Sequence, residues 1–166
     1  SITRGLYAGI LIFVPISKYN GTRTKGEFYV VREEIIHKRM VRLDEYLNIL
    51  KKLKHYSFDE FDANPEIYGS GERFLQLAME ATLDIGNHII ADMNLGEVNR
   101  YRDIPGLLKK HGYIDEKLEE PWIRMIGFRN ILVHDYLEID RKIVYDVMQN
   151  SLDDIVKLKE VFAQFL

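Results

Sequence analysis

The chain of 166 residues contains no cysteine. Disulfides and thiolate metal sites are therefore excluded, and an intracellular, cytoplasmic setting is expected. Long hydrophobic runs are missing too. The most apolar stretch, Leu6 to Ile16, is shorter than a bilayer span and includes Pro15, so no membrane association is expected. The stretch is present in the chain, so a cleavable secretion signal is not expected either. His37, His55, His88 and His111 are widely separated and form no H-x3-H or HExxH pattern. Gly69-x-Gly71 has neither the spacing nor the lysine of a phosphate-binding loop. Nothing in the sequence points to a Ser/His/Asp triad, and neither internal repeats nor low-complexity segments occur. No cofactor and no metal are expected.

What remains is an ordinary globular composition, 46% hydrophobic and 30% charged, long enough for one domain with a real core. The net charge of -3 is unevenly spread. Residues 1–56 carry 11 Lys+Arg against 5 Asp+Glu, whereas residues 57–166 carry 12 against 21. A basic first segment suits phosphates, and suits a solvated helix face with paired charges equally well. Lys38, Arg39 and Arg42 are its candidate nucleic-acid contacts.

Residues 1–26 stand apart. Gly5 to Gly9 and the turn pair Asn20-Gly21 bracket a β-prone run ending at Val14, which reads as one strand or an arm. Helical periodicity takes over from about Phe28. Ile36, Met40, Leu43, Leu47 and Leu50 make one apolar strip. Ser57 to Pro65 reads as a connection, with room for a helical turn at Asp59–Phe61. Gly69-Ser70-Gly71 then precedes a long helix through about Met93, with an apolar strip of Phe74, Ala78, Ala81, Ile85 and Ile89. A second strip on it, Arg73, Leu77, Glu80, Asp84 and His88, is largely polar. Such a strip faces water or lines an internal site, and water is the commoner answer for charged residues.

Gly96 ends that helix. A short helix around Pro105 to His111 follows, then one from about Glu116 or Pro121 to Val133. The last runs from Asp140, a plausible N-cap, to Phe165. The sum is an all-α, antiparallel bundle of four to five helices over residues 27–166, with residues 1–26 as an extension.

The densest chemistry lies at Arg129-Asn130-Ile131-Leu132-Val133-His134-Asp135-Tyr136, which reads Arg-x4-His-x-Tyr. Arginine is a permanent cation with a planar donor fork; histidine moves a proton near neutral pH; tyrosine adds a phenol. Together they suit work on a phosphodiester. Arg129 falls on an otherwise apolar strip with Leu118, Trp122, Met125 and Leu132. It therefore needs a partner or a polar cleft, and Glu80 and Asp84 are candidates. A purely structural Arg–Glu tie between helices is the plainer alternative. His134, alone, reads as a helix-end cap, and Tyr136 as an aromatic that packs after that end or stacks on a base. Asn130, one turn before His134, is placed to orient it.

Five residues on a helix turn about 140°, so Arg129 and His134 cannot face one pocket along a continuous helix. Either the helix unwinds near His134, or a two-fold dimer brings motifs from two chains into one cleft. The motif resembles the Arg-x4-His signature of HEPN domains, and the trailing Tyr with the Arg-Asn and Val-His pairs resembles the HepT-like toxins of MNT–HEPN (nucleotidyltransferase–HEPN) systems. The run from Arg73 to His88 is similar to that family's second long helix.

The resemblance implies a homodimer with motifs at the shared interface. It also implies a metal-independent endoribonuclease toxin with Arg129 and His134 as catalytic residues. The expected partners are RNA and a cognate MNT-type nucleotidyltransferase antitoxin, which silences the toxin by AMPylating Tyr136. The alternatives are a non-catalytic HEPN subunit that binds nucleotide or serves as the substrate-binding half of a nucleotidyltransferase complex, and a purely structural dimerisation module.

Overall fold

The computed structural model describes residues 32–135 and 137–166. The strand or arm expected at residues 1–26, and the helix start expected at Phe28, lie outside the described residues. Those described form seven α-helices and no strand. They are α1 (Glu33–Leu53), α2 (Phe58–Ala63), α3 (Pro65–Asp92), α4 (Asp103–Lys110), α5 (Glu116–His134), α6 (Arg141–Asn150) and α7 (Leu152–Phe162), closed by a 3-10 turn at Ala163–Phe165. None is long and apolar enough to cross a membrane.

The long helix α3 is the axis of the bundle and packs against all six others. Pairings along it fix direction and register. Arg32 meets Asp92, Arg39 meets Asp84, and the ring of Tyr46 meets that of Phe74, so α1 descends antiparallel to α3. Arg129 meets Glu80 while Trp122 meets Thr82, so α5 does the same. The expected α1 strip is buried in full: Ile36, Met40, Leu43, Leu47 and Leu50.

The indole of Trp122 is fully buried and stacks edge-on against Phe162 of α7. Its Nε1–H donates to Thr82 Oγ1 at 3.1 Å, and the Thr82 hydroxyl donates to the Met79 carbonyl at 2.7 Å. The polar end of a large apolar ring is thereby satisfied inside the core. Truncating such a side chain to alanine costs about 3–5 kcal/mol. Gly86 makes room for it: a Cβ there would stand 2.7 Å from Ile104 and 3.0 Å from Trp122.

Three boundaries differ from the sequence reading, each for a local reason. α3 starts at Pro65, not after Gly71. Asn64 caps it by accepting from the Glu66 N–H, and proline at the first position needs no N–H. Gly69 and Gly71 thus lie inside the helix, and Gly71 lets the Phe61 ring approach to 2.9 Å of where a Cβ would stand. The Ser57–Pro65 connection holds a full short helix. Ser57 accepts from the Glu60 N–H, and the Glu60 carboxylate accepts from the Ser57 N–H. The last helix breaks at Ser151 into α6, which packs on α2 and α3, and α7, which packs on α3 and α5. Serine is a weak helix former and tolerates the break. The helix expected to begin at Glu116 or Pro121 begins at Glu116, because Asp115 accepts from the Leu118 N–H and leaves Pro121 within the helix.

Candidate functional site

The loop from α3 to α4 matters to the site. Asn94 and Gly96 adopt positive φ, +50° and +142°. Asp103 then ties the loop by accepting from the N–H groups of Asn99 and Arg100 at 3.0 and 2.8 Å. This sets Tyr101, 45% exposed, beside α5.

Arg129 projects from α5 into that corner. Its Nη2 and Nε both donate to Glu80 Oε1, at 2.7 and 3.1 Å, and its Nη1 donates to Asn130 Oδ1 at 3.2 Å. The guanidinium carbon lies 5.3 Å from the centre of the Tyr101 ring. Only 15% of the Arg129 side chain is exposed, against 31% of Glu80. Glu80 Oε1 also accepts from Gln76 Nε2 at 3.0 Å, and Gln76 Oε1 accepts from Arg73 Nη1 at 3.4 Å. A polar chain thus runs Arg73, Gln76, Glu80, Arg129, Asn130. Three of the five guanidinium N–H groups of Arg129 are engaged, which leaves two for an outside acceptor.

Of the two expected carboxylate partners, Glu80 takes the role. Asp84, one turn on, pairs instead with Arg39 of α1 at 3.6 Å. The other basic candidates of α1 are also near carboxylates: Lys38 with Glu34 at 2.9 Å and Arg42 with Glu45 at 2.9 Å. The polar strip of α3 therefore does not simply face water. Its Glu80 and Asp84 are bridged by helices on either side, α5 and α1.

His134 is the last residue of α5 and is exposed. The helix continues through it, and the Asp135 N–H closes the final turn on the Ile131 carbonyl at 2.9 Å. Unwinding before His134 is therefore not what reconciles the motif. Within one chain Arg129 and His134 point to different sides of α5. The His134 side chain makes no hydrogen bond or ion pair among the described residues. Asn130, expected to orient His134, instead accepts from Arg129. Tyr136 lies outside the described residues. Around the motif, Ile131 is 44% and Leu137 84% exposed, large apolar side chains facing outward.

Helix by helix, then, the structure brings Arg129 and Glu80 together and leaves His134 apart. Comparison with known proteins decides what this arrangement belongs to. Residues 43–162 match the family model described as ribonuclease HepT-like. The chain belongs to this HepT-like branch of the HEPN family. It is 35% identical over 109 residues to an mRNA nuclease HepT of Shewanella oneidensis, covering 58% of this chain and 82% of that protein. It is 31% identical over 120 residues to a tRNA nuclease HepT of Aphanizomenon flos-aquae, covering 71% and 80%. Among solved structures, it superposes with a TM-score of 0.74 and 29% identity on a tri-AMPylated Shewanella oneidensis HEPN toxin in complex with MNT antitoxin. That match covers 80% of this chain and 98% of the other.

Sequence reasoning missed two members of the corner around Arg129. Gln76 carried a usable signal, three residues after Arg73 and four before Glu80 on one helix face. Tyr101 carried none, because only the folded loop sets it beside Arg129. Farther along α3, His88 has a buried Nδ1 with no hydrogen-bond partner among the described residues. Burial, and then the charges of Arg39 and Arg32, push its pKa below the ordinary 6.5. Among the described residues no three His, Asp or Glu side chains gather as a metal site.

Proposed function

We propose that the protein is the toxin of a two-gene toxin–antitoxin pair, an endoribonuclease that cuts RNA without metal in a cleft shared by two chains. The observation that carries this reading is the held guanidinium of Arg129, with donors to spare, on a helix that ends in an exposed histidine. A structural tie alone does not require His134 at that end or an arginine with unused donors.

In this reading Arg129 binds the non-bridging phosphate oxygens and neutralises the negative charge that develops on them in the phosphorane. Glu80 and Asn130 hold its fork in place. One His134 takes the proton from the ribose 2′-OH as O2′ attacks phosphorus; His134 of a second copy gives a proton to the departing O5′. A strand ending in a 2′,3′-cyclic phosphate and one beginning with a 5′-OH result. Arg129 and His134 on different sides of one helix fit a cleft built from two motifs. The outward Ile131 and Leu137 beside the motif offer the apolar contact that such a two-fold interface needs. Residues 27–166 then form one HEPN-like domain, with residues 1–26 as an extension.

Silencing follows the relative's AMPylated state. The Tyr136 hydroxyl attacks the α-phosphorus of ATP in a partner MNT-type nucleotidyltransferase, forming O-AMP-tyrosine and releasing pyrophosphate. The added phosphate sits two residues after His134, where it repels RNA and fills the cleft. A cytoplasmic location agrees with both partners.

The test is cleavage of RNA by the purified protein in EDTA, with and without prior treatment by the nucleotidyltransferase and ATP. Cleavage that persists in EDTA, and that disappears together with a mass gain of one or more AMP units on Tyr136, supports the proposal. Tight nucleotide binding without cleavage points to the non-catalytic subunit instead.

A further inference from the structure

Seven of the nine described arginines lie within 4.0 Å of a carboxylate: Arg32, Arg39, Arg42, Arg100, Arg124, Arg129 and Arg141. Among the described residues, Arg73 and Arg102 have no carboxylate within that distance. Carboxylates are not scarce in this part of the chain, where residues 57–166 hold 21 of them. Each of these two arginines is linked to the corner around Arg129, Arg73 through hydrogen bonds and Arg102 through the chain. Arg73 is the exposed end of the polar chain that runs through Gln76 and Glu80 to Arg129. Arg102, also exposed, follows Tyr101, whose ring lies against the Arg129 guanidinium.

We infer that Arg73, Tyr101 and Arg102 form a strand-binding subsite beside Arg129, which grips single-stranded RNA next to the bond that is cut. The inference rests on the ribonuclease reading and adds where the substrate lies. An arginine without a carboxylate meets a phosphate with no ion pair to break first. Arg73 sits two helical turns, about 10 Å, from Glu80 along α3, so it reaches a different phosphate from the one at Arg129.

Tyr101 supplies what phosphate contacts lack. The residue is 45% exposed, and the Arg129 guanidinium lies 5.3 Å from the centre of its ring. An open, held aromatic ring is a platform on which a base of any identity can stack. The Asp103 bonds to Asn99 and Arg100 keep the loop from folding away, so Tyr101 and Arg102 are presented without ordering a flexible segment on binding. The subsite recognises backbone and base faces, not base edges, and so grips an unpaired strand without choosing its sequence.

The experiment measures binding of a fluorescein-labelled single-stranded RNA by anisotropy across a salt series. It uses full-length protein carrying His134→Ala so that the probe is not consumed. Arg73→Ala and Arg102→Ala, added singly, should each weaken binding several-fold and lower the salt slope by about 0.7. Tyr101→Ala should weaken it roughly tenfold, while Tyr101→Phe stays within about twofold. Lys157→Ala on α7, far along the chain, is the control and should change neither quantity. In the cleavage-competent protein, the two arginine variants should raise KM with kcat within about threefold and melting temperature unchanged.

Arginine variants that bind with unaltered affinity and salt slope overturn the subsite, and leave the ribonuclease reading standing if the parent cleaves. Binding that depends on the three residues in a protein that never cleaves overturns the ribonuclease reading and keeps the subsite. A parent that neither binds nor cleaves RNA overturns both.

Discussion

Arg129 and Glu80 are separated by 49 residues of chain and meet at 2.7 Å, the guanidinium of α5 giving two N–H groups to a single carboxylate oxygen of α3. The pair serves as a tie between helices and as the mount for a cation. Glu80→Ala should therefore do two things. It removes hydrogen bonds to a largely buried charge, which costs about 2 kcal/mol in denaturant unfolding. It also frees the Arg129 fork, so cleavage should fall more than the folded fraction does. Glu80→Ala protein that cleaves at the parental rate per folded molecule removes the mounting role.

Arg129→Ala should lower kcat by about 10²-fold or more, the range for losing a donor to developing transition-state charge. Arg129→Lys keeps the charge and loses the planar fork, so it should recover little of this. Single-turnover cleavage by both variants decides the matter. Recovery to near parental rate in Arg129→Lys means that charge alone suffices.

His134 is exposed and its side chain is unpartnered among the described residues, so His134→Ala should change unfolding free energy by no more than about 0.5 kcal/mol. RNA cleavage should nevertheless disappear. A variant that unfolds, or one that still cleaves, removes His134 from the chemistry. Mixing parental with His134→Ala chains adds a check on the shared cleft: heterodimers keep one His134 where the chemistry uses two, so cleavage should fall more steeply than the parental share of chains.

Two glycines should respond oppositely to alanine. At Gly86 the new Cβ meets Ile104 at 2.7 Å and the Trp122 ring at 3.0 Å, so overpacking should cost about 1–3 kcal/mol. At Gly127, exposed in the middle of α5, nothing lies within 4 Å, and the gain in helix propensity should stabilise the protein by up to about 1 kcal/mol. Urea titrations of the two variants provide the comparison. A stabilised Gly86→Ala protein means that the Trp122 packing is looser than described.

His88 should make stability fall in mild acid. Its pKa is lowered in the fold by burial first and then by Arg39 and Arg32, with Asp92 and Asp84 opposing. Below the ordinary value of 6.5 the unfolded chain takes up a proton that the folded chain refuses, so this contribution is intact above pH 6.5 and declines as pH falls through it. His88→Gln should flatten the melting-temperature profile between about pH 7 and 5 relative to the parent. An unchanged slope means His88 does not set it.

Much of this was legible in one dimension because helices repeat at a fixed period. Ile36, Met40, Leu43, Leu47 and Leu50 announce a buried face through spacing alone, and all five are buried. The Asp140 cap was visible for the same reason, since a cap is a contact between near neighbours; it accepts from the Lys142 N–H at 2.8 Å. The break at Ser151 was not visible. The helical spacing of Val144, Val147, Ser151, Ile155, Leu158, Phe162 and Phe165 continues across it, and the packing of α6 and α7 on different neighbours is a long-range matter.

By itself the sequence determined the helical class, the apolar faces and the Arg-x4-His-x-Tyr motif, all set by chemistry and spacing within a few turns of chain. It also required Arg129 to find a partner, since an arginine on an apolar strip is costly otherwise. Only the tertiary structure chose Glu80 over Asp84, because α1 claims Asp84 through Arg39 while α5 crosses α3 one turn away. Only the folded loop put Tyr101 beside the guanidinium, and only the unbroken final turn of α5 set His134 on another side of the helix from Arg129. These are distances between segments far apart in sequence, which the local period of a helix does not encode.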